Sequence, residues 1–242
     1  MLTNDIKNNY NLYDISKNNK EAEIVDEWAC SKNMDAYKRY TINGYFEDIN
    51  TALRTGITDN FGVPDDIKML DELFKTVPNV ITPKQDMIVY RGAYLDSELK
   101  KIIDGKSSTD IYIEKGFAST SKDKVVAKSF AFMDDQEKIL LRIQVPKGSK
   151  VIDDEKLPSY ARSKMIAEKE VLLPRNAQFK ITGYNPKTKV ADAVFIGQKQ
   201  PLLMPEFKKF EGMCILSDIN KININKSNKH TNKDWNIEKK DD

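Results

Sequence analysis

The chain has 242 residues, 40% of them hydrophobic, 31% charged and 9% aromatic, which fits a folded globular chain and excludes disordered, collagen-like and disulfide-scaffold classes. The 39 Lys and Arg nearly balance the 37 Asp and Glu, leaving a net charge of +2, so no global field draws the chain to nucleic acid or to an anionic membrane. One histidine, His230, and two distant cysteines, Cys30 and Cys214, cannot supply a tetrahedral Zn site or a Ser-His or Cys-His nucleophile. The cysteines read as buried thiols, with a disulfide between them left open. The first twenty residues contain no apolar stretch of signal-peptide length, and no run approaches the ~18 apolar residues of a membrane span. A cytoplasmic protein is therefore expected, and action inside another cell would need delivery by a route independent of such a signal.

Residues 1–16 are rich in Asn, Asp and Tyr and read as an arm. Ile24, Val25 and Trp28 then fall at helix-face spacing, and Tyr37, Tyr40, Tyr45, Phe46, Ile49 and Leu53 continue the pattern as an amphipathic helix pair. A third helix opens after Pro64, carries Ile67, Leu70, Leu73 and Phe74, and stops at Pro78. Residues 1–82 thus form a helical region of one domain. Near Pro83 the period changes. Met87–Gly92 reads as a strand, Ser97–Ile103 as a short helix, IYIEKGFAST as one strand ending, and Asp123–Phe130 as a helix. Ile139–Val145, Lys150–Ile152, Glu170–Leu173, Phe179–Tyr184 and Val190–Gly197 follow as strands, the last two joined by the turn NPKT. Residues 83–200 are therefore the core, and 201–242 a polar Asn- and Lys-rich tail. The fold class is α+β, with N-terminal helices on two small, mostly antiparallel sheets. Asp153–Lys169 has no clear period, and a loop of that length inside a strand-rich domain is usually functional.

Three segments place polar groups beside strands. In Tyr90-Arg91-Gly92, an arginine at a strand end can offer its planar fork to a phosphate, and the glycine lets a ligand approach the backbone. In Gly116-Phe117-Ala118-Ser119-Thr120-Ser121, three hydroxyls leave a strand; Ser121 can cap the next helix, which frees Ser119 to orient a carboxylate. In Glu168-Lys169-Glu170, strand alternation would point both carboxylates to one face, where they repel unless a cation lies between them. Each segment alone also suits a solvated rim.

The order Arg, Ser-Thr-Ser, Glu-x-Glu resembles the R-S-E class of mono-ADP-ribosyltransferases, a group of clostridial binary-toxin enzyme components, insecticidal toxins and phage enzymes. The likeness spans roughly Met87 to Gly197, including the stretches GFASTS and AEKEVLLPRNAQFKI. It implies a fold with an NAD cleft between the sheets, and an enzyme that takes NAD as substrate, releases nicotinamide and passes ADP-ribose to a protein, with no metal. By the same resemblance Glu170 stabilises the oxocarbenium ion and Ser119 holds Glu170 and the ribose. Arg91 clamps a phosphate, Gly92 contacts the nicotinamide amide, and Thr120 and Ser121 support the cleft. Glu168 would pair with an incoming guanidinium, which makes a target protein presenting an arginine the expected partner. Asp153–Lys169 would be the target-recognition loop, with Tyr160 or Met165 touching the acceptor. The chain departs from the pattern after the serine motif, where KSFAFMDDQEK has no second phosphate-gripping arginine and Lys128 is the nearest cation. An NAD glycohydrolase and a non-catalytic interaction domain are the competing readings.

Overall fold

Among the described residues four helices come first: α1 (Leu12–Ala29), α2 (Lys32–Tyr40), α3 (Tyr45–Thr55) and α4 (Val63–Lys75). In the computed structural model, residues 12–42, 44–131, 138–163, 168–200, 203–204 and 206–208 are described. Helix α1 begins inside the stretch expected to be an arm. Pro64 lies in the first turn of α4, where its missing N–H removes no intrahelical bond. Gly56, at φ 73°, takes the left-handed position that closes α3. The apolar faces of these helices meet in one core, with Tyr37 and Tyr40 from α2, Ile49 and Leu53 from α3, and Ile67, Leu70 and Phe74 from α4. The Trp28 indole reaches from α1 to α4 and donates to the Leu73 carbonyl at 3.3 Å.

Among the described residues eight strands follow: β1 (Met87–Tyr94), β2 (Ile111–Glu114), β3 (Ala118–Ser121), β4 (Lys138–Val145), β5 (Ile152–Asp153), β6 (Glu170–Leu173), β7 (Ala177–Asn185) and β8 (Val190–Gln198), with short helices α5 (Ser97–Ile103) and α6 (Lys124–Ala131) between them. The two expected sheets are hydrogen-bonded into one ladder of order β2-β7-β8-β4-β1-β3-β6-β5. All neighbours are antiparallel except β4 and β8. The ladder narrows between β1 and β3, where Tyr90 opposite Ser121 is the one register pair. That seam divides β2-β7-β8-β4-β1 from β3-β6-β5.

The expected single strand IYIEKGFAST is two strands, and the reason lies at Gly116-Phe117. Phe117 leaves the ladder to enter the helical core, stacked on Phe74 at 5.8 Å and edge-on to Tyr40 at 5.8 Å. Asn50 from α3 grips its backbone: Phe117 N–H donates to Asn50 Oδ1 at 2.8 Å, and Asn50 Nδ2 donates to Phe117 O at 3.2 Å and to the Tyr40 hydroxyl at 3.0 Å. A Cβ on Gly116 would stand 2.5 Å from that Oδ1. Asn50 cannot withdraw without giving up these bonds, so Gly116→Ala should lower stability by about 1–3 kcal/mol in urea melts. An unchanged midpoint would show that α3 can move off the serine-bearing strand freely.

The segment Asp153–Lys169, expected to lack a clear period, is tied down over much of its described length. A 3-10 turn forms at Asp154–Lys156, and Leu157 and Ala161 are buried in the helical core. Between β6 and β7, Arg175 is fully buried and paired with Asp71 of α4 through Nε at 2.9 Å and Nη2 at 2.8 Å. Met204 and Phe207, beyond the strands, pack against the same helical core, and Ile57 bridges Lys208. Cys30, expected to be buried, is an exposed free thiol, while Cys214 and His230 lie outside the described residues.

Candidate active site

The seam between β1 and β3 gathers most of the predicted residues. Glu170 opens β6 opposite Ser121 of β3 and is only 8% exposed. Burial pushes its carboxyl up to about 7, a hydrogen bond from Ser119 pulls the other way, Glu168 and Asp154 add upward pushes, and Arg91 holds it down. Four groups from four segments therefore converge on this carboxyl. Ser119 Oγ also lies 3.3 Å from the Tyr40 hydroxyl. Tyr37 and Tyr40 are three apart on α2, so both hydroxyls reach the sheet from one helix face. Tyr40 meets Ser119 and donates to Phe117 O at 3.2 Å, while Tyr37 donates to Asp154 Oδ1 at 3.0 Å. Burial pushes the Tyr40 hydroxyl up to about 12, which keeps it a proton-bearing donor or acceptor at neutral pH.

Strand alternation does not relate the two glutamates. Strand β6 begins at Glu170, and Lys169 before it has φ 48°, a left-handed backbone unusual for a lysine. Glu168 thus lies outside the strand. The kink is held from β3, where Ser121 Oγ donates to Glu168 O at 2.6 Å and Lys122 N–H donates to Lys169 O at 3.2 Å. Glu168 still pushes the Glu170 carboxyl up electrostatically, from a position outside the pleat of β6. Burial pushes the Glu168 carboxyl up as well.

Arg91 is 14% exposed along its side chain and already has protein partners: Nη1 donates to Ser119 O at 2.8 Å and Nη2 to Glu114 Oε2 at 3.1 Å. Glu114 is buried and takes further bonds on Oε1, from Arg54 Nε at 3.1 Å and from Gly116 N–H at 3.0 Å. Two guanidinium groups thus share one buried carboxylate and leave a net positive charge beside the seam. Sequence reasoning missed Arg54 and Glu114. Arg54 ends an amphipathic helix like any rim cation, and Glu114 sits in a run read as one unbroken strand. Lys128 stands exposed on α6.

The remaining predicted residues divide. Gly92 faces Leu140 across the β1–β4 ladder and is half-buried. Thr120 is buried, its hydroxyl donating to Val171 O across β6. Ser121 does not cap α6; Asp123 does, accepting from Val125 N–H at 2.8 Å, while Ser121 Oγ accepts from Asp123 N–H at 2.9 Å. Tyr160 is half exposed, but its hydroxyl is engaged on α1, donating to Asp26 Oδ1 at 2.8 Å and lying 3.6 Å from the Cys30 thiol. Met165 lies outside the described residues. No group of three or more metal-ligating His, Cys, Asp or Glu side chains occurs among the described residues.

A buried carboxyl held by a serine, once ionised, with a second carboxyl nearby and a cationic pair close by, can stabilise a developing cation next to a bound anion. The model of the ADP-ribosyltransferase exoenzyme family matches residues 8–233. No curated protein matches the chain. Among solved structures it is similar to Plx2a, an ADP-ribosyltransferase toxin from Paenibacillus larvae, with a TM-score of 0.53, 19% identity, and coverage of 74% of this chain and 94% of that one. It is also similar to C3stau2 from S. aureus, solved with NAD, with a TM-score of 0.51, 20% identity, and coverage of 81% and 100%. Exoenzyme S from Pseudomonas aeruginosa, solved with human 14-3-3 protein beta and carba-NAD, has a TM-score of 0.53 at 15% identity, with coverage of 84% and 89%. At these identities the structural likeness speaks to the fold, and the family match carries the assignment. The chain belongs to the ADP-ribosyltransferase exoenzyme family, whose enzymes use NAD as the ADP-ribose donor.

Proposed function

We propose that this protein cleaves the bond between nicotinamide and ribose in NAD and transfers the ADP-ribose to an arginine side chain of a target protein. The observation that carries the reading is the buried Glu170 carboxyl, held by Ser119 and facing both Arg91 and Glu168. Loss of nicotinamide leaves oxocarbenium character on the ribose. A carboxylate in a water-poor site stabilises that charge far better than water would, and it can hold a ribose hydroxyl at the same time. Ser119 would fix Glu170 and the ribose, with Thr120 and Ser121 keeping strands β3 and β6 in place behind it. Gly92 would meet the nicotinamide amide through its backbone.

The donor set suits a diphosphate. Among the described residues Arg91 and Arg54 both form their ion pair with Glu114, so two cations meet one ion-paired carboxylate where the anion would lie, and Arg54 would take the part that the sequence left without an arginine. Arg91→Lys keeps the charge but cannot hold Glu114, Ser119 O and a phosphate with one planar fork. NAD affinity should fall by about 1–3 kcal/mol in calorimetric titration. Unchanged affinity in a folded variant would remove Arg91 from the NAD site.

Arginine as acceptor follows from Glu168, a carboxylate beside the reacting centre that can pair with a guanidinium and align its nitrogen for attack on the ribose. Tyr160 and Met165 would contribute apolar contact with the target. Labelled NAD incubated with arginine-rich acceptor proteins tests the whole reading. The expected result is label on arginine, with nicotinamide released in at least equal amount. Nicotinamide release without protein label would make the enzyme a glycohydrolase, and no NAD consumption would end the enzymatic reading.

A further inference from the structure

We propose that Asp154, at the root of the loop that leads to Glu168, is a positioning residue that sets the pH range in which Glu170 works. This rests on the reading of Glu170 as the group that must be ionised for NAD cleavage. Strands β5 and β6 pair as Ile152 opposite Leu172 and Asp153 opposite Val171. The chain then leaves β5 into the 3-10 turn that Asp154 begins, and this turn packs against β6, the strand that Glu170 opens. Asp154 and Glu170 thus sit on adjoining segments, where like charges repel. Both side chains are buried, Asp154 at 3% exposure, so water screens little of the interaction.

The surroundings single out Asp154 among the nearby acids. Asp153, one residue earlier, is neutralised by Lys122 Nζ at 2.7 Å, and Lys122 also binds Glu155 at 2.8 Å. Asp154 has no cation among the described residues. Its Oδ1 accepts two neutral donors, the Tyr37 hydroxyl at 3.0 Å and Ser163 N–H at 2.7 Å. Those bonds join the two ends of the ten-residue span from 154 to 163 and anchor Asp154 to helix α2, fixing the charge on the turn that packs against β6. The other groups around Glu170 are Arg91 on β1, Ser119 and Ser121 on β3, Tyr37 and Tyr40 on α2, Asp153 on β5 and Glu168 on the kink. Of these, Arg91 and the Ser119 hydroxyl favour ionised Glu170, whereas Glu168 and Asp154 oppose it. Glu168 is assigned to the acceptor, which leaves Asp154 as the carboxylate that can tune Glu170 without touching either substrate.

Asp154→Asn separates charge from structure, because the amide oxygen can still accept from Tyr37 and Ser163. The test is the pH profile of NAD hydrolysis by the full chain. In the wild type the rate should rise with pH as Glu170 ionises. In Asp154→Asn that limb should move toward acid by about half a pH unit or more, so that at pH 6 the rate relative to the plateau rises about two- to threefold. Glu155→Gln, which removes an exposed carboxylate one residue further on, should leave the limb in place. If Asp154→Asn fails to fold, Asp154→Thr keeps an acceptor for Ser163 N–H and removes the same charge. A wild-type limb that neither Asp154 variant moves, or that Glu155→Gln moves equally, overturns the proposal. A wild-type rate with no such limb, or no NAD turnover, instead overturns the role given to Glu170.

Discussion

Glu170→Gln is expected to lower both reactions of the proposed enzyme, transfer to arginine and hydrolysis of NAD, each by on the order of 10²-fold or more. The substitution keeps the shape and one acceptor oxygen, and removes the charge that would face the oxocarbenium ion. Both reactions pass through that cation, so both should fall together. Glu168→Gln should behave differently. In the proposed reaction its carboxylate would serve the incoming guanidinium, and water needs no such partner, so transfer should fail while nicotinamide release largely survives. The kink at Lys169 is what makes this division physical. With β6 beginning at Glu170 and Lys169 in the left-handed region, Glu170 is buried within the ladder and Glu168 stands outside the strand, half-buried at its entry. Measuring nicotinamide release and protein-bound label in the same reaction separates the two outcomes. Equal profiles for the two variants would overturn the division of roles, and full NAD turnover in Glu170→Gln would place the chemistry elsewhere.

The chain's own pattern reveals the parts of this site that rest on local chemistry. Apolar runs mark β1, β4, β6, β7 and β8, and the polar segments at their ends mark Arg91, Ser119 and Glu170, because strand period and turn residues are local properties. What the sequence hides depends on contacts between distant residues. Glu114 takes its meaning from Arg91, 23 positions earlier, and from Arg54, 60 earlier. The break in IYIEKGFAST depends on Asn50 reaching across to Phe117, and a glycine before an aromatic is ambiguous until that partner is known. Tyr40 and Tyr37 look like ordinary core positions of an amphipathic helix, and they are; only their hydroxyls, aimed at Ser119 and Asp154, belong to the site. Ser121 illustrates the opposite failure. Its local pattern predicts a helix cap, but Asp123 takes that place, and the Ser121 hydroxyl instead joins the Glu168 carbonyl before the kink to the Asp123 N–H of its own turn.

Glu170→Gln should also stabilise the protein at alkaline pH, and the sign of that effect follows from burial. The wild-type carboxyl is raised from 4.5 to about 7 in the fold, so the unfolded chain ionises first as pH rises. Below about pH 4 the carboxyl is protonated in both states and costs nothing. Between 4.5 and about 7 the unfolded state gains progressively, and above that range the full cost of burying the charge is present. A rise of this size corresponds to about 3 kcal/mol, a large fraction of the stability of an ordinary domain. Glutamine is neutral at every pH and escapes the cost. Urea melts of wild type and Glu170→Gln should therefore nearly coincide at pH 4 and diverge up to pH 8, with the inactive variant the more stable. A glutamate kept for structure would show the reverse, losing stability on substitution wherever it is ionised. A gap independent of pH, or a variant weaker at pH 8, would mean that Glu170 is not held against its own solvation, and would remove the electrostatic basis for its part in catalysis.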